Sequence, residues 1–569
     1  MQWLFVGNKK KPRRLFKLKM VGVSRLELLT SRSQSARATN CAKPRTISVL
    51  YHICARIKSM KSFFQRNKRS LCIFGPVLIS LVYIILCIVN LNQSIWFDES
   101  YGAYLVRFKF SDIVHFTSVD VHPPLYYFLL KTWAHFFGFN IISMRLLSTM
   151  LGAGAILFAF KWLKYKYGAK VAFIGSLALA TAPFIVRYGQ EMRMYTLVLF
   201  IFFAATYFMQ VAIDTKKKLY WIIYGVLVAA GMWTHYFMAL AWCAQLVYII
   251  SIYKLDFFKK KLFLVYILAV LLFAPWLPYL LSQFHSVQQG FWIPEISIQS
   301  LTSAWTEYTI YSSGSAASNW TTILVIVHII IYAYIVSKTF KKQRFLSILA
   351  TLPILLLVLV SLPPFKPMFV SRYVFYSAAC IAMLPAVGIV LLIGSDKKLQ
   401  SKNSKKQRFA CYRYVAMSVV LIASTVFGLA NLYTTGNLNF STGSYPTARQ
   451  LYESIAGLST EDEVIVVSSK APLLIYDLGF YTTDEHPVLF FDDEMEYQWG
   501  SLLPLKESYF GRIDDSKKFK EENSSFWYVS ESLDPETDVP EGTEIIEEAD
   551  LQLHEKGVRY TLWKLQSKE

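Results

Sequence analysis

Charge is scarce in this chain. Asp, Glu, Lys and Arg together make up 17% of its 569 residues, against ~25% in an ordinary soluble domain. With 54% hydrophobic residues, a soluble globular fold is excluded. Cysteine is equally uninformative as a ligand or staple: the seven residues, Cys41, Cys54, Cys72, Cys87, Cys243, Cys380 and Cys411, show no paired metal-ligand spacing. None lies in the polar C-terminal part, which therefore needs no disulfide and offers no zinc site. Neither a GxGxxG fingerprint nor a GxxxxGK[ST] phosphate loop occurs, which argues against nucleotide-dependent chemistry. Internal repeats are also missing.

What the chain has instead is apolar runs close to the ~20 residues that cross a bilayer. They fall at about 71–91, 142–160, 171–187, 194–213, 219–234, 236–253, 262–281, 319–337, 345–362, 373–395 and 411–432. The expected fold class is an α-helical polytopic membrane protein with about 11 transmembrane helices. Basic clusters at Lys61/Arg66/Lys68/Arg69, Lys161/Lys164/Lys166/Lys170, Lys216–Lys218, Lys259–Lys261, Lys338/Lys341/Lys342/Arg344 and Lys397/Lys398/Lys405/Lys406/Arg408 occupy every second loop. Cytoplasmic loops collect Lys and Arg, so the N-terminus is expected inside and the C-terminus outside the cytoplasmic membrane.

Three regions follow. Residues 1–59 carry fourteen Lys or Arg and one Glu without helix or strand periodicity, and are set aside as a basic extension; Met60, followed at once by basic residues and a span, reads as the initiator. Residues 60–433 form the transmembrane domain. Residues 434–569, with 27 acids and 11 bases, read as a small extracytoplasmic α/β domain. Its strand candidates are Val464–Ser468, Val488–Phe491, Phe526–Val529 and Tyr560–Leu565, and its helix candidate is Ala448–Leu458.

The outer loop 92–141 contains two aromatic amphipathic stretches, Tyr101–Phe116 and Leu125–Phe139, expected to lie in the membrane interface. Counting the second as a span would put every later lysine cluster outside, which the charge rule rejects. This loop also holds the outward-facing charges that run against hydropathy: Asp98 and Glu99, then Asp120 and His122. Polar residues at such positions mark function by default. The bland alternatives are a solvated helix cap for the two carboxylates and, for His122, an exposed side chain beside the bend that Pro123 and Pro124 impose.

A second cluster, Arg187 to Tyr195, opens the fourth span; on a continuous helix Gln190 and Arg193 would share one face, and Glu191 and Tyr195 the next. Arg145 opens the second span, and Arg372 with Tyr373 opens the tenth. Helix N-termini present free N–H groups, and arginine adds a bidentate fork, so three such ends suit an anion, phosphate above all. One arginine alone would be read as snorkelling to headgroups; three together favour a site. His235, in Thr234-His235-Tyr236, sits at the outer turn between the fifth and sixth spans.

Taken in order, WFDES (96–100), DVHPPLYY (120–127), RLLS (145–148), YGQEMRMY (188–195), THYF (234–237) and PPFKPMFVSRY (363–373) resemble the polytopic glycosyltransferases of the C-type fold. That superfamily holds the protein O-mannosyltransferases and the lipid A aminoarabinose transferase; the similarity is nearest to its bacterial RgtA/B/C/D-like branch and covers about residues 70–400. The resemblance implies a hexosyl- or pentosyltransferase that takes a sugar from a polyprenyl-phosphate donor, with inversion, for cell-envelope lipopolysaccharide or glycolipid synthesis. It implies Asp98 as the acid that activates the acceptor, with Glu99 beside it, and Arg193 and Arg372 near the lipid phosphate. Arg145, Gln190, Glu191 and Tyr195 join the donor-phosphate group, and Asp120, His122, His235 and Tyr373 the substrate-binding group.

No cofactor is required by this chemistry and no metal ligand is assigned, although a divalent cation has candidate oxygen and nitrogen donors in Asp98, Glu99, Asp120 and His122. Expected partners are the lipid-linked donor, membrane lipid and a glycan, lipid or protein acceptor, with no nucleic acid. The competing class, a polytopic transporter or flippase for a lipid-linked glycan, lacks support from mid-span charges or an inverted repeat.

Overall fold

The computed structural model describes residues 72–567 apart from 290–292, 312–318, 397–398, 400–403, 435–446, 460–462, 494, 496–499, 509, 532–538 and 556–557. The basic extension 1–59, Met60 and the cluster Lys61/Arg66/Lys68/Arg69 lie outside the described residues.

Helix α1 (Gly75–Ile88) is the first apolar helix. The segment 92–141 then forms α2 (Phe97–Leu105), α3 (Phe110–Val119) and α4 (Leu125–Phe137). The stretch expected as one amphipathic segment over 101–116 is thus two helices, because the chain leaves helical geometry at Arg107–Lys109. Helix α4 ends at Gly138, whose φ of 93° a residue with a Cβ rarely adopts. The long α5 (Ile141–Tyr167) starts where the Asn140 side chain accepts from the Ser143 N–H, and Lys164 and Lys166 sit in its last turn, against the negative dipole end.

The third expected span is broken: α6 (Ala169–Ala180) and α7 (Pro183–Gly189) meet at 63°. Proline at the first position of α7 removes the N–H that would continue the preceding helix. After a non-helical turn at residues 190–194 come α8 (Tyr195–Thr215), α9 (Lys218–Met232), α10 (Met238–Tyr253), the single turn α11 (Asp256–Lys259), α12 (Leu264–Phe273) and α13 (Leu277–Gln289), with a 3-10 turn at Ala274–Trp276 joining the last two. Helix α14 (Ile298–Thr309), absent from the expected elements, follows; Ser297 and Ser300 cap it reciprocally.

The eighth and ninth expected spans are one helical run, α15 (Asn319–Leu359), non-helical only at Gln343. Forty-one residues would extend about 60 Å as a straight rod, twice the ~30 Å hydrocarbon thickness. The break falls in the Lys338–Arg344 cluster, where a cytoplasmic loop is expected. A 3-10 turn, Ser371–Val374, leads into α16 (Phe375–Ser395), and α17 (Ser404–Thr434) is the last long apolar helix. Among the described residues six helices, α12 and α13 counted as one, are long and apolar enough to cross a bilayer, seven with the bent pair, and α1, α9 and α10 are shorter apolar helices. The structure is polytopic as expected, with fewer separate long helices than 11 because two spans merge and three are short.

The C-terminal part contains α18 (Ala448–Leu458), β1 (Ile465–Val467), α19 (Pro472–Gly479), β2 (Val488–Phe491), α20 (Leu503–Lys506), β3 (Arg512–Ile513), α21 (Ser516–Glu522), β4 (Ser525–Glu531), β5 (Thr543–Glu555) and β6 (Val558–Ser567). They build one mixed sheet of order β3-β2-β1-β4-β6-β5. Strands β1 to β4 run parallel, whereas β6 is antiparallel to both β4 and β5. The four expected strands and the expected helix are present. Strand β3 is too short to read from two residues, and in β5 the pairs Ile545-Ile546 and Glu547-Glu548 break the alternation.

Candidate active site

Helix α2 carries the WFDES residues and is amphipathic in an unusual sense: both of its long faces are covered. Asp98 and Glu99 lie in its first turn, where the positive dipole end favours carboxylates. Being adjacent, they project about 100° apart, and they meet different partners.

Glu99 is fully buried and faces α5. Its Oε1 accepts from Arg145 Nε at 2.8 Å and its Oε2 from Arg145 Nη2 at 2.5 Å; the Met192 N–H donates to Oε1 at 2.7 Å. Arg145 also donates to the carbonyls of Leu91, Gln93 and Ser94 at 2.9, 2.6 and 2.9 Å. A guanidinium has five N–H donors, and all five are used here. Arg145 therefore has no N–H left for a phosphate, and Glu99 is committed to holding α2, α5 and the 190–194 turn together.

Asp98 points the other way, toward Arg193 and Arg372. Its Oδ2 lies 3.8 Å from Arg193 Nε and 3.6 Å from Arg372 Nη2, beyond direct hydrogen-bond distance. Arg193 Nη1 donates instead to the Asp98 carbonyl at 2.9 Å. Trp96 Nε1 and Arg193 Nε are buried and have no hydrogen-bond partner among the described residues. Burial pushes the Asp98 carboxyl up, but Arg193, Arg372, His122 and Arg187 outweigh it and hold it below the usual aspartate range. The result is an ionised carboxylate between two arginines with room between the charges.

The turn before α8 departs from expectation. A continuous helix over 188–195 would have put Gln190 beside Arg193; the chain instead breaks at residues 190–194, so helical spacing does not apply there. Gln190 Nε2 donates to the Leu86 carbonyl at 3.2 Å, away from the arginines. Glu191 pairs with Arg187 at 2.9 Å, both buried. Two adjacent side chains of α5 fix this turn: Thr149 Oγ1 donates to the Gly189 carbonyl at 2.7 Å and Ser148 Oγ to that of Arg193 at 3.4 Å. The RLLS residues thus support the turn that carries Arg193. Tyr195 is buried and edges onto Tyr188 at 4.8 Å.

His122 Nδ1 lies 3.5 Å from Asp120 Oδ2, and its ring centroid is 5.8 Å from that of His235. His235 also neighbours Tyr195 and Tyr373 at 6.1 and 5.3 Å. Burial, then the positive field of His122, Arg193 and Arg372, pushes the His235 imidazole well below the usual histidine range. The Phe237 N–H donates to His235 Nδ1 at 3.3 Å, so the neutral ring carries its proton on Nε2. His122, His235 and Tyr373 line a mainly apolar cavity of about 200 Å³, together with Tyr236, Gln283, Leu240, Phe284 and Met368.

Two polar residues escaped sequence reading. Gln283 of α13 donates to the Thr117 and Ser118 carbonyls at 2.8 and 3.0 Å and accepts from Tyr236 Oη at 2.5 Å, tying α3 to the cavity wall. Glu307 of α14 accepts from Ser371 Oγ at 2.6 Å, next to Arg372. Burial raises its carboxyl, opposed by Ser371, Arg187 and Arg372. The available signal was a single acid in an apolar, Ser-capped amphipathic stretch. Among the described residues no group of three or more His, Cys, Asp or Glu could hold a metal ion.

Residues 121–279 match the family described as dolichyl-phosphate-mannose-protein mannosyltransferase. A search of curated protein sequences returns no match. Among solved structures, ArnT from Cupriavidus metallidurans superposes in its apo state with a TM-score of 0.53 at 13% identity, and bound to undecaprenyl phosphate with 0.52 at 15%; each covers 86% of this chain and 97% of that one. The Archaeoglobus fulgidus oligosaccharyltransferase in its apo form gives 0.45 at 12% identity, covering 73% of this chain and 64% of that one. The chain is an integral multi-pass membrane protein with the ArnT fold and, over residues 121–279, the sequence pattern of the protein mannosyltransferase family.

Proposed function

We propose that this protein is a glycosyltransferase that moves a sugar from a polyprenyl-phosphate donor to a cell-envelope acceptor on the outer side of the cytoplasmic membrane, with inversion. The observation that carries the reading is the loose Asp98–Arg193–Arg372 cluster, with Trp96 Nε1 and Arg193 Nε unpartnered among the described residues, beside a mainly apolar cavity. ArnT, which shares the fold, has been crystallised with undecaprenyl phosphate. A phosphate head among the arginines and an isoprenyl segment in the cavity would satisfy both halves of the site.

The chemistry then needs three roles. An acceptor hydroxyl attacks the anomeric carbon as the carbon–oxygen bond to the phosphate breaks; its proton passes to the Asp98 carboxylate, and the polyprenyl phosphate departs with the bonding pair. Arg193 and Arg372 stabilise the charge that grows on the departing phosphate. An incoming phosphate also replaces Asp98 as counter-ion of the two arginines, which raises the basicity of Asp98 when donor is bound. His235 Nε2–H, His122, Asp120 and Tyr373 can hold sugar or acceptor hydroxyls. Glu99 and Arg145 position the base, with Gln190, Glu191 and Tyr195 supporting the turn beneath Arg193. A divalent cation is not part of this scheme.

The test is release of undecaprenyl phosphate from undecaprenyl-phosphate-linked hexoses and pentoses by the purified protein in nanodiscs supplied with envelope glycolipid. Release that needs the acceptor and yields an inverted product supports the reading. Transport of intact donor across the bilayer without cleavage would overturn it.

A further inference from the structure

One face of α2, centred about 110° around the helix from Asp98, is covered by the C-terminal sheet unit. Residues 97, 100, 101 and 104 form one helical stripe by their three- and four-residue spacing, and every one of them meets that unit. Tyr476 of α19 packs against the rings of Phe97, Tyr101 and Tyr104 at 5.9, 5.6 and 5.0 Å. The Ser100 hydroxyl donates to Asp477 Oδ1, and Tyr104 Oη bonds Ser508 Oγ. On the other face, a Cβ at Gly102 would meet Tyr127 and Leu130 of α4, at 3.6 and 4.0 Å.

The segment leading into α2 is gripped in the same way. Tyr481 Oη accepts from the Ile95 N–H at 2.8 Å, the Arg449 N–H donates to Ser94 Oγ at 3.1 Å, and Arg449 Nη1 to the Asn92 carbonyl at 2.9 Å. Arg145 holds the neighbouring carbonyls from the membrane side. Residues 91–104 are therefore clamped between two bodies, and the outer one comes from more than 340 residues along the chain.

We propose that the C-terminal unit sets the position of the general base, with Asp477 as a positioning residue acting through Ser100 on Asp98 and with Tyr476 as the packing anchor; this rests on the reading of Asp98 as base. Asp98 and Ser100 lie about 200° apart around the helix, so a pull on Ser100 rotates or tilts the carboxylate relative to Arg193 and Arg372. Asp477 touches no reacting atom. Its effect is geometric, and displacements of about 1 Å at a reacting group cost on the order of 100-fold in rate.

The experiment compares Asp477→Leu, Asp477→Asn and Ser100→Ala with the full-length protein in nanodiscs, using undecaprenyl-phosphate-linked sugar as donor. Asp477→Leu is expected to lower kcat on the order of 10- to 100-fold while the Kd for undecaprenyl phosphate stays put. Asp477→Asn keeps an oxygen acceptor for Ser100 and should restore most of the rate. Adding Ser100→Ala to Asp477→Leu should cost less than the sum of the two single losses, since the two variants share the Ser100–Asp477 bond, while Ser100→Ala also removes the bond to the Phe97 carbonyl. In parallel, hydrogen exchange at amides 99–105 should rise in Asp477→Leu and return in Asp477→Asn. Unchanged kcat and exchange in Asp477→Leu, or equal losses in the Leu and Asn variants, would overturn the proposal. A wild-type protein that transfers no sugar would instead remove the proposed function, and the exchange comparison would still decide whether Asp477 holds α2.

Discussion

Two carboxylate–arginine clusters start from neighbouring residues of one helix, and they are built to opposite specifications. Glu99 and Arg145 are fully buried, bidentate, and completed by backbone groups until no donor on the arginine is left. The Asp98 side chain is 19% exposed, its carboxylate stands 3.6 to 3.8 Å from its two arginines, and Arg193 Nε has no hydrogen-bond partner among the described residues. A saturated pair resists change, because either partner left alone would be a bare charge in a low-dielectric interior. An unsaturated one can exchange its counter-ion for a ligand. The distinction between a structural and a functional ion pair is thus read from unfilled hydrogen-bonding capacity rather than from burial or residue type.

The comparison breaks first at Asp98. Asp98→Asn keeps size and hydrogen bonding but removes the proton acceptor, and transfer should fall ~10²–10⁴-fold in a protein that still melts cooperatively. Full activity in that variant would erase the functional half of the contrast. The structural half is tested by Arg145→Met, which leaves Glu99 buried without its partner and should cost roughly 3–5 kcal/mol of stability. Thermal unfolding in detergent measures this, and adding Glu99→Gln should recover part of the loss.

A smaller effect is expected from Arg193→Lys. An ammonium cannot reproduce the planar fork, and losing one charge-assisted bond of roughly 1.5 kcal/mol predicts about a tenfold drop in transfer at limiting donor. Unchanged rates would show that the fork is not used. The smallest effect lies in pH dependence. The Asp98 carboxyl is held below the usual range in the free protein, so it stays ionised until pH falls through that lowered value, and its contribution to stability is lost over the same interval. With phosphate on the arginines that support weakens. The acid limb of kcat should therefore lie at higher pH than the acid limb of kcat/KM, and coincident limbs would mean the phosphate does not displace Asp98.

Much of the architecture was legible because a bilayer imposes a simple length and charge code. The apolar runs and the four strands at 464–468, 488–491, 526–529 and 560–565 follow from hydropathy and alternation, whereas Asp98, Arg193 and Arg372 are singled out together by the family resemblance. Less legible were the break at residues 190–194, which depends on Thr149, Ser148 and Glu99 capturing backbone groups, and the kink at Gln343 in place of a loop.

By itself the sequence determined that this chain is polytopic, that its unusual charges gather at the ends of apolar helices, and that the acid-rich C-terminal part contains short strands and a helix. Only the tertiary structure decided which of two adjacent carboxylates is spent on an arginine and which is left open. It also brought Glu307, Gln283 and Asp477 to the site from distant segments. Hydropathy and charge are properties of a stretch of chain and survive in one dimension, whereas the filling of a guanidinium's five donors depends on which remote backbone and side-chain groups the fold brings within 3 Å.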